Sequence, residues 1–136
     1  MALIVDTGPL VALLDATDPD HDRCEELLEG TDEPRVVPIC VLVAVEYMVR
    51  PWPGAFAALV ADFGSGALDL LDLPLRWLAR AGELLDHYRE LPLGLVDATV
   101  IAATEMLEEP KLATLDHRHF SVVQPEHVSA LTLLPE

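Results

Sequence analysis

Short apolar runs alternate with longer amphipathic stretches along the chain. A continuous apolar run that ends abruptly at polar or turn residues is typical of a strand buried in a parallel sheet. Such runs predict strands at residues 2–5, 35–38, 68–73 and 111–115, with a last edge strand at 131–134. Helices are predicted over residues 9–14, 21–29, 39–49, 54–63, 74–89 and 95–108. Strands that alternate with helices indicate an α/β fold with a mostly parallel sheet.

The composition is that of one globular domain. The 136 residues are 51% hydrophobic but only 5% aromatic. We therefore expect a single domain over residues 1–136 with a core of Leu, Val, Ala and Ile. No apolar stretch of the sequence is long enough to cross a membrane. The apolar N-terminus lacks the basic residues of a signal peptide, so we expect a cytoplasmic protein.

The charge balance is strongly acidic. Asp and Glu total 24 against 8 Lys and Arg, which gives a net charge of −16. This balance excludes a domain that holds nucleic acid through a broad basic surface, because such binding neutralises phosphates. The two cysteines, Cys24 and Cys40, make neither a disulfide framework nor a zinc cluster. We expect both to be buried free thiols.

Three aspartates interrupt apolar runs. Asp6 and Asp116 follow predicted strands, and Asp97 lies in the first turn of a predicted apolar helix. Binding sites in open α/β sheets form just beyond the carboxyl ends of the strands, where all three carboxylates would converge. Repulsion between the three charges would raise the pKa of each carboxyl. A bound divalent cation would remove that repulsion. Oxygen ligands alone favour Mg²⁺ or Mn²⁺, and such sites act on phosphate esters. Each aspartate also suits a simple capping role.

Three segments carry a family resemblance: residues 4–7 (IVDT), residues 95–103 around Asp97, and residues 113–120 (ATLDHRHF). In this order they resemble the PIN-domain ribonucleases, and more narrowly the VapC toxins of toxin–antitoxin pairs. The resemblance implies a three-layer α/β/α domain with four to five strands and an Mg²⁺- or Mn²⁺-dependent endoribonuclease. It also implies a homodimer that a small VapB-type antitoxin blocks. DNA would be contacted only through that antitoxin, whose complex with the toxin represses its own operon.

The resemblance also implies roles for particular residues. Asp6 and Asp97 would be the main metal ligands, and Asp116 would complete the acidic pocket directly or through water. Thr7 and Thr114 would orient these carboxylates by hydrogen bonds. Metal-bound water would attack the RNA phosphodiester.

One position departs from the family pattern. The family usually has a Glu in a pattern like P-x-x-V-L-x-E-V-x-Y, and residues 38–47 match it except that Ala44 stands at the Glu position. Glu46 lies two positions further on, and residues at i and i+2 point to different faces of a helix. Three interpretations remain. Ala44 is an engineered inactivating substitution, or it is a natural loss of the acid, or Glu46 serves through a shifted register.

A second departure is milder. The family often has an acid before the Phe, where this chain has His119. His119 is either an RNA phosphate contact or an ordinary surface residue. Arg118 is the candidate for local capture of RNA, since the net negative charge would otherwise repel a polyanion.

Two apolar segments are candidate partner surfaces. Residues 47–59 would offer a groove for a partner helix or would be ordinary core. Trp77, Leu78 and Leu85 are candidates for a dimer interface.

The alternative function is a non-catalytic binding module on the same fold, acting through its antitoxin and operator DNA. Ala44 is its main support. A receiver domain would need paired acids after the first strand, and an Asp-x-Asp phosphatase would need a second acid near Asp6. The sequence has neither.

Overall fold

The computed structural model describes residues 1–136. Its strands are β1 (Leu3–Val5), β2 (Arg35–Pro38), β3 (Asp69–Leu71), β4 (Lys111–Ala113) and β5 (Thr132–Leu134). Its helices are α1 (Thr7–Leu14), α2 (His21–Gly30), α3 (Ile39–Val49), α4 (Ala55–Ser65), α5 (Leu75–His87), α6 (Leu95–Met106) and α7 (His117–Phe120). Strands and helices alternate as the hydrophobic pattern predicts.

All five strands form one sheet in the order β3-β2-β1-β4-β5. β1 is central, because Ile4 pairs with Val36 of β2 on one side and with Leu112 of β4 on the other. Every pairing is parallel, so the expectation of four to five mostly parallel strands is confirmed. The helices form the outer layers of an α/β/α fold. Because the strands run in one direction, the loops that follow β1 and β4 leave the sheet side by side.

Helix α7 was not predicted, and the other elements differ from the predicted ones mainly at their ends. The strands are shorter than the apolar runs, since β4 ends at Ala113 and the chain then turns into α7. α4 extends through Gly64 to Ser65 rather than ending at residue 63. The helix ends where Gly66 adopts a φ of 84°, a conformation that glycine accepts without steric cost. None of the helices combines the length and apolar composition needed to cross a membrane.

The core lies between the sheet and the helices and is mostly aliphatic. One face of α3 contributes Val41, Val45 and Val49, which repeat every four residues and are all buried. The largest fully buried side chains elsewhere are Leu3, Ile4, Leu10, Leu59, Leu84, Ile101, Leu112 and Phe120. Both cysteines are free thiols. Cys24 is fully buried, but the expectation for Cys40 was wrong, because it is only half-buried near the start of α3.

Candidate functional site

The strand order brings Asp6 next to the loop that follows β4. Asp6 is the first residue after β1, and its backbone N–H donates to the carbonyl oxygen of Ala113 over 2.9 Å. In the same place the hydroxyl of Thr114 donates to Asp6 Oδ2 over 2.8 Å. Asp6 and Thr114 are both buried. Two segments that are 108 residues apart in the sequence thus share a hydrogen bond beneath the carboxyl edge of the sheet.

The first turn of α6 brings Asp97 to the same place. Its carboxylate accepts a hydrogen bond from the backbone N–H of Gly94 over 3.3 Å, so it caps the helix as the simpler interpretation anticipated. Its carboxylate also faces an open pocket of about 470 Å³. The residues that line this pocket are Asp6, Thr7, Gly8, Met48, Asp97, Leu115 and Asp116. We call it the aspartate pocket.

The three carboxylates interact electrostatically. Burial raises the pKa of Asp6 from 3.8 to about 6, and the nearby charges of Asp97 and Asp116 add to the rise. Hydrogen bonds from the Thr7 backbone and the Thr114 hydroxyl oppose it only in part. Burial also raises the pKa of Asp97, with a further contribution from Asp116. Mutual repulsion was anticipated, but desolvation is the larger cause for both groups.

Asp116 is held by its own helix. It is the N-cap of α7, and its Oδ1 accepts the backbone N–H of His119 over 3.2 Å. Its Oδ2 lies 2.7 Å from Nδ1 of His119, in hydrogen-bond contact. The backbone N–H of Asp116 donates to the Thr114 hydroxyl over 3.0 Å. Thr114 therefore connects Asp6 to the turn that carries Asp116.

The donor chemistry of the aspartate pocket fits a hydrated divalent cation. The charged ligands that the pocket offers are all carboxylates, from Asp6, Asp97 and Asp116. Neither Asp6 nor Asp97 has a basic side chain as an ion-pair partner. However, no three His, Cys, Asp or Glu side chains stand close enough together to form a ready metal cage, and Asp116 is turned toward His119. Mg²⁺ commonly takes only one or two carboxylates and keeps several waters. Two aspartates are therefore a sufficient protein ligand set.

Helical spacing places position 44, and not Glu46, on the same side of α3 as Met48, although neither Ala44 nor Glu46 lines the aspartate pocket. Met48 of α3 lines the pocket, and Ala44 lies one helical turn before it on the same side. Glu46 instead forms two hydrogen bonds with Arg50, of 2.7 and 2.8 Å, and does not line the pocket. The guanidinium of Arg50 lowers the pKa of the Glu46 carboxyl. The structure therefore gives no support to a shifted register in which Glu46 replaces the family acid.

Sequence reasoning did not identify all of the residues around the aspartate pocket. Met48 was not singled out for this role, although its spacing of four from Ala44 was a usable signal. Gly8 was also passed over. A Cβ atom at Gly8 would lie 3.1 Å from Cβ of Leu115, so the glycine allows the turn after β1 to approach the loop after β4. Thr7 lines the pocket and acts on Asp6 through its backbone N–H rather than its hydroxyl.

Arg118 and His119 line a neighbouring pocket. Arg118 is exposed and is absent from the aspartate pocket. It lies with His119 beside Leu91, Pro92 and Val122. His119 adjoins both pockets, because its ring contacts Asp116 while it lines the second one.

The candidate partner surfaces are exposed only in part. Tyr47 is 69% exposed and Trp52 is 42% exposed, but Leu59 belongs to the core, so residues 47–59 are not one continuous groove. Leu78 is 42% exposed. By contrast, Trp77 and Leu85 pack partly against the core.

Comparison with known proteins agrees with this architecture. No family model matches the chain. The chain is 27% identical over 135 residues to the ribonuclease VapC26 of Mycobacterium tuberculosis. The matched region covers 98% of this chain and 100% of that protein.

Two crystal structures share the fold. One is M. tuberculosis VapC20, a toxin that cleaves the sarcin–ricin loop. It superposes with a TM-score of 0.78 and is 21% identical, and the match covers 85% of this chain and 91% of VapC20. The other is VapBC2 of Rickettsia felis bound to a DNA fragment from its promoter, with a TM-score of 0.70, 19% identity and coverage of 98% and 97%. The chain is therefore similar over its whole length to a VapC ribonuclease, and it shares its fold with VapC20 and with VapBC2.

Proposed function

We propose that this chain is a VapC-type endoribonuclease toxin that depends on Mg²⁺ or Mn²⁺. The observation that carries the proposal is the buried carboxylate of Asp6, whose pKa is raised to about 6. Asp6 lines the aspartate pocket together with Asp97 and Asp116. A buried carboxylate without a basic partner is costly, and a cation offsets that cost. VapC26, which the chain matches over its whole length, is a ribonuclease, and this similarity supports the same reaction.

Asp6 and Asp97 would hold the ion, and Asp116 would reach it through water. The ion supplies a water activated for attack and positive charge that stabilises the phosphoryl oxygens of the RNA. Thr114 holds the Asp6 carboxylate in one orientation, since its hydroxyl donates to Oδ2. The openness of the pocket allows an RNA strand to place a phosphodiester against these aspartates.

The partners follow from the surface and from the relatives. A net charge of −16 suits a basic antitoxin of the VapB type, because complementary charge speeds association. The exposed side chains of α3, including Val43 and Tyr47, offer apolar area for such a partner. We propose that the chain forms a homodimer in the cytoplasm and contacts DNA only through the antitoxin. The promoter-bound VapBC2 complex supports that arrangement.

The chain as written lacks the acid at position 44, and we propose that it cleaves RNA weakly or not at all. The test is to compare Ala44→Glu with the parent on an RNA stem-loop, with and without Mn²⁺. The glutamate would extend toward the aspartate pocket, and we expect metal-dependent cleavage about 10- to 100-fold faster than that of the parent.

A matched control separates position from charge. Val43 lies on the same helix and is 72% exposed, so Val43→Glu adds the same charge away from the pocket and should leave cleavage at the parent level. If Ala44→Glu neither cleaves RNA nor binds Mn²⁺ in calorimetry, the proposal is wrong.

The second candidate is a non-catalytic binding module. It is favoured by the combination of Ala44 with a Glu46 that is already engaged by Arg50. This function predicts no cleavage even by Ala44→Glu, together with tight co-purification of a small basic protein.

A further inference from the structure

A second pocket lies beside the aspartate pocket, formed by the start of α7 and the loop before α6. Its cavity measures about 500 Å³ and is lined by Leu91, Pro92, Arg118, His119 and Val122. We call it the Arg118 pocket. Three of its five lining side chains are apolar, and the other two carry nitrogen donors.

Arg76, Arg89 and Arg118 have neither an ion-pair partner nor a side-chain hydrogen bond, and among them Arg118 lines the pocket beside the aspartates. Of the 8 Lys and Arg residues, those that form ion pairs with carboxylates are Arg23, Arg50, Arg80 and Lys111. Arg35 donates to main-chain carbonyls. Arg118 has no ion-pair partner, although the chain carries 24 acidic residues. A guanidinium left free beside a cluster of aspartates is available for an external anion.

His119 joins the two pockets. Its Nδ1 is engaged by Asp116, which lines the aspartate pocket. Its Nε2 has no hydrogen-bond partner within the protein. The contact with Asp116 fixes the orientation of the ring, so that Nε2 is presented as a positioned donor or acceptor.

We propose that the Arg118 pocket binds the nucleotide of the RNA substrate next to the bond that is cut. The guanidinium of Arg118 and Nε2 of His119 contact its phosphate oxygens, since guanidinium groups match phosphate geometry. Its base packs on Leu91, Pro92 and Val122, because an unstacked base needs an apolar surface. This inference rests on the proposed function and names the residues that capture a polyanion on an acidic protein.

The test measures binding of a fluorescein-labelled single-stranded RNA by anisotropy, using the full chain in Mg²⁺. We expect Arg118→Ala to weaken binding roughly tenfold and to reduce the slope of log affinity against log salt by about 0.7, as for one lost phosphate contact. Val122→Asp should weaken binding to a similar extent. Arg118 and Val122 are both exposed, so neither variant threatens folding.

Arg76→Ala is the matched control. Arg76 also has no ion-pair partner, but it lies over the Trp77 ring at 5.1 Å and lines a pocket with Glu105, Glu108 and Glu126. Its loss removes the same charge and should change the affinity less than about twofold. Equal weakening by Arg76→Ala and Arg118→Ala would show that only net charge matters and would overturn the inference. Absence of RNA binding by the parent would also overturn it.

A second measurement separates this inference from the proposed function. If Ala44→Glu cleaves RNA and Arg118→Ala added to it leaves KM unchanged, the nuclease function stands and the nucleotide pocket does not. If Ala44→Glu does not cleave but binding still depends on Arg118 and not on Arg76, the pocket binds RNA and the proposed chemistry is wrong.

Discussion

Replacement of Asp6 by Asn should stabilise the metal-free protein at neutral pH. Asp6 is 5% exposed, and its pKa is raised from 3.8 to about 6. The folded state therefore binds this proton more tightly than the unfolded state does. As pH rises through the window between these two values, the carboxylate becomes an increasing cost to folding, and that cost is complete above about pH 6.

The magnitude follows from the same shift. The difference between the folded and unfolded pKa corresponds to about 3 kcal/mol above the window. The amide replaces one accepting oxygen of Asp6 by an NH₂ group that cannot accept, and loss of one hydrogen bond costs about 1 kcal/mol. We therefore expect Asp6→Asn to raise the free energy of unfolding by about 2 kcal/mol at roughly pH 8. The gain should be clearly smaller at roughly pH 5, where the Asp6 carboxyl is mostly protonated in the folded state.

Urea unfolding of the parent and the variant at both pH values measures the effect, because contributions from groups that do not interact with Asp6 cancel in the difference. Asp72→Asn is the control, since Asp72 is exposed and its replacement should change stability by less than about 0.5 kcal/mol. A variant that is less stable than the parent at the higher pH, or a gain that does not depend on pH, would refute the reasoning. Added Mg²⁺ should raise the unfolding midpoint of the parent but not that of Asp6→Asn.

Two further predictions concern buried polar contacts. Thr114→Val removes the hydroxyl that donates to Asp6 and should cost about 1–3 kcal/mol, measured by urea unfolding. It should also raise the pKa of Asp6 further, since it removes a hydrogen bond to the charged form. Arg80→Met leaves the Glu105 carboxylate, whose side chain is 3% exposed, without its ion-pair partner and should cost about 3–5 kcal/mol. Adding Glu105→Leu should recover most of that loss in thermal unfolding, and an unchanged deficit would contradict the explanation.

Local patterns were sufficient to place the strands and helices. Residues 35–38 and 39–49 were predicted with the bounds that the structure has, because a short buried strand and an apolar helix differ in length and in the position of proline. Errors occurred where a helix end depends on a few residues. Gly64 is tolerated inside α4, and only the left-handed conformation of Gly66 ends it.

The acidic residues of the site were also visible before the fold was known. A carboxylate that interrupts or follows an apolar run stands out from the acids of solvated helix faces, and this singled out Asp6, Asp97 and Asp116. In the structure only Asp6 of the three is buried, and the buried Glu105 and Glu109 were not singled out. The same reasoning could not assign the partners of the three aspartates. The capping role of Asp116 was one of the alternatives that the sequence left open, and only the structure shows that its carboxylate contacts His119.

The sequence by itself determined which segments are buried, because burial is recorded locally in the spacing of apolar residues. It identified the buried carboxylate of Asp6 but not those of Glu105 and Glu109. The tertiary structure decided which carboxylates meet. β4 pairs with β1 although about a hundred residues separate them, and this pairing places Thr114 against Asp6. The structure also decided that Glu46 pairs with Arg50, whereas Ala44 lies on the side of α3 that carries Met48. Strand order and helix packing arise from contacts between distant segments, and no local pattern encodes those contacts.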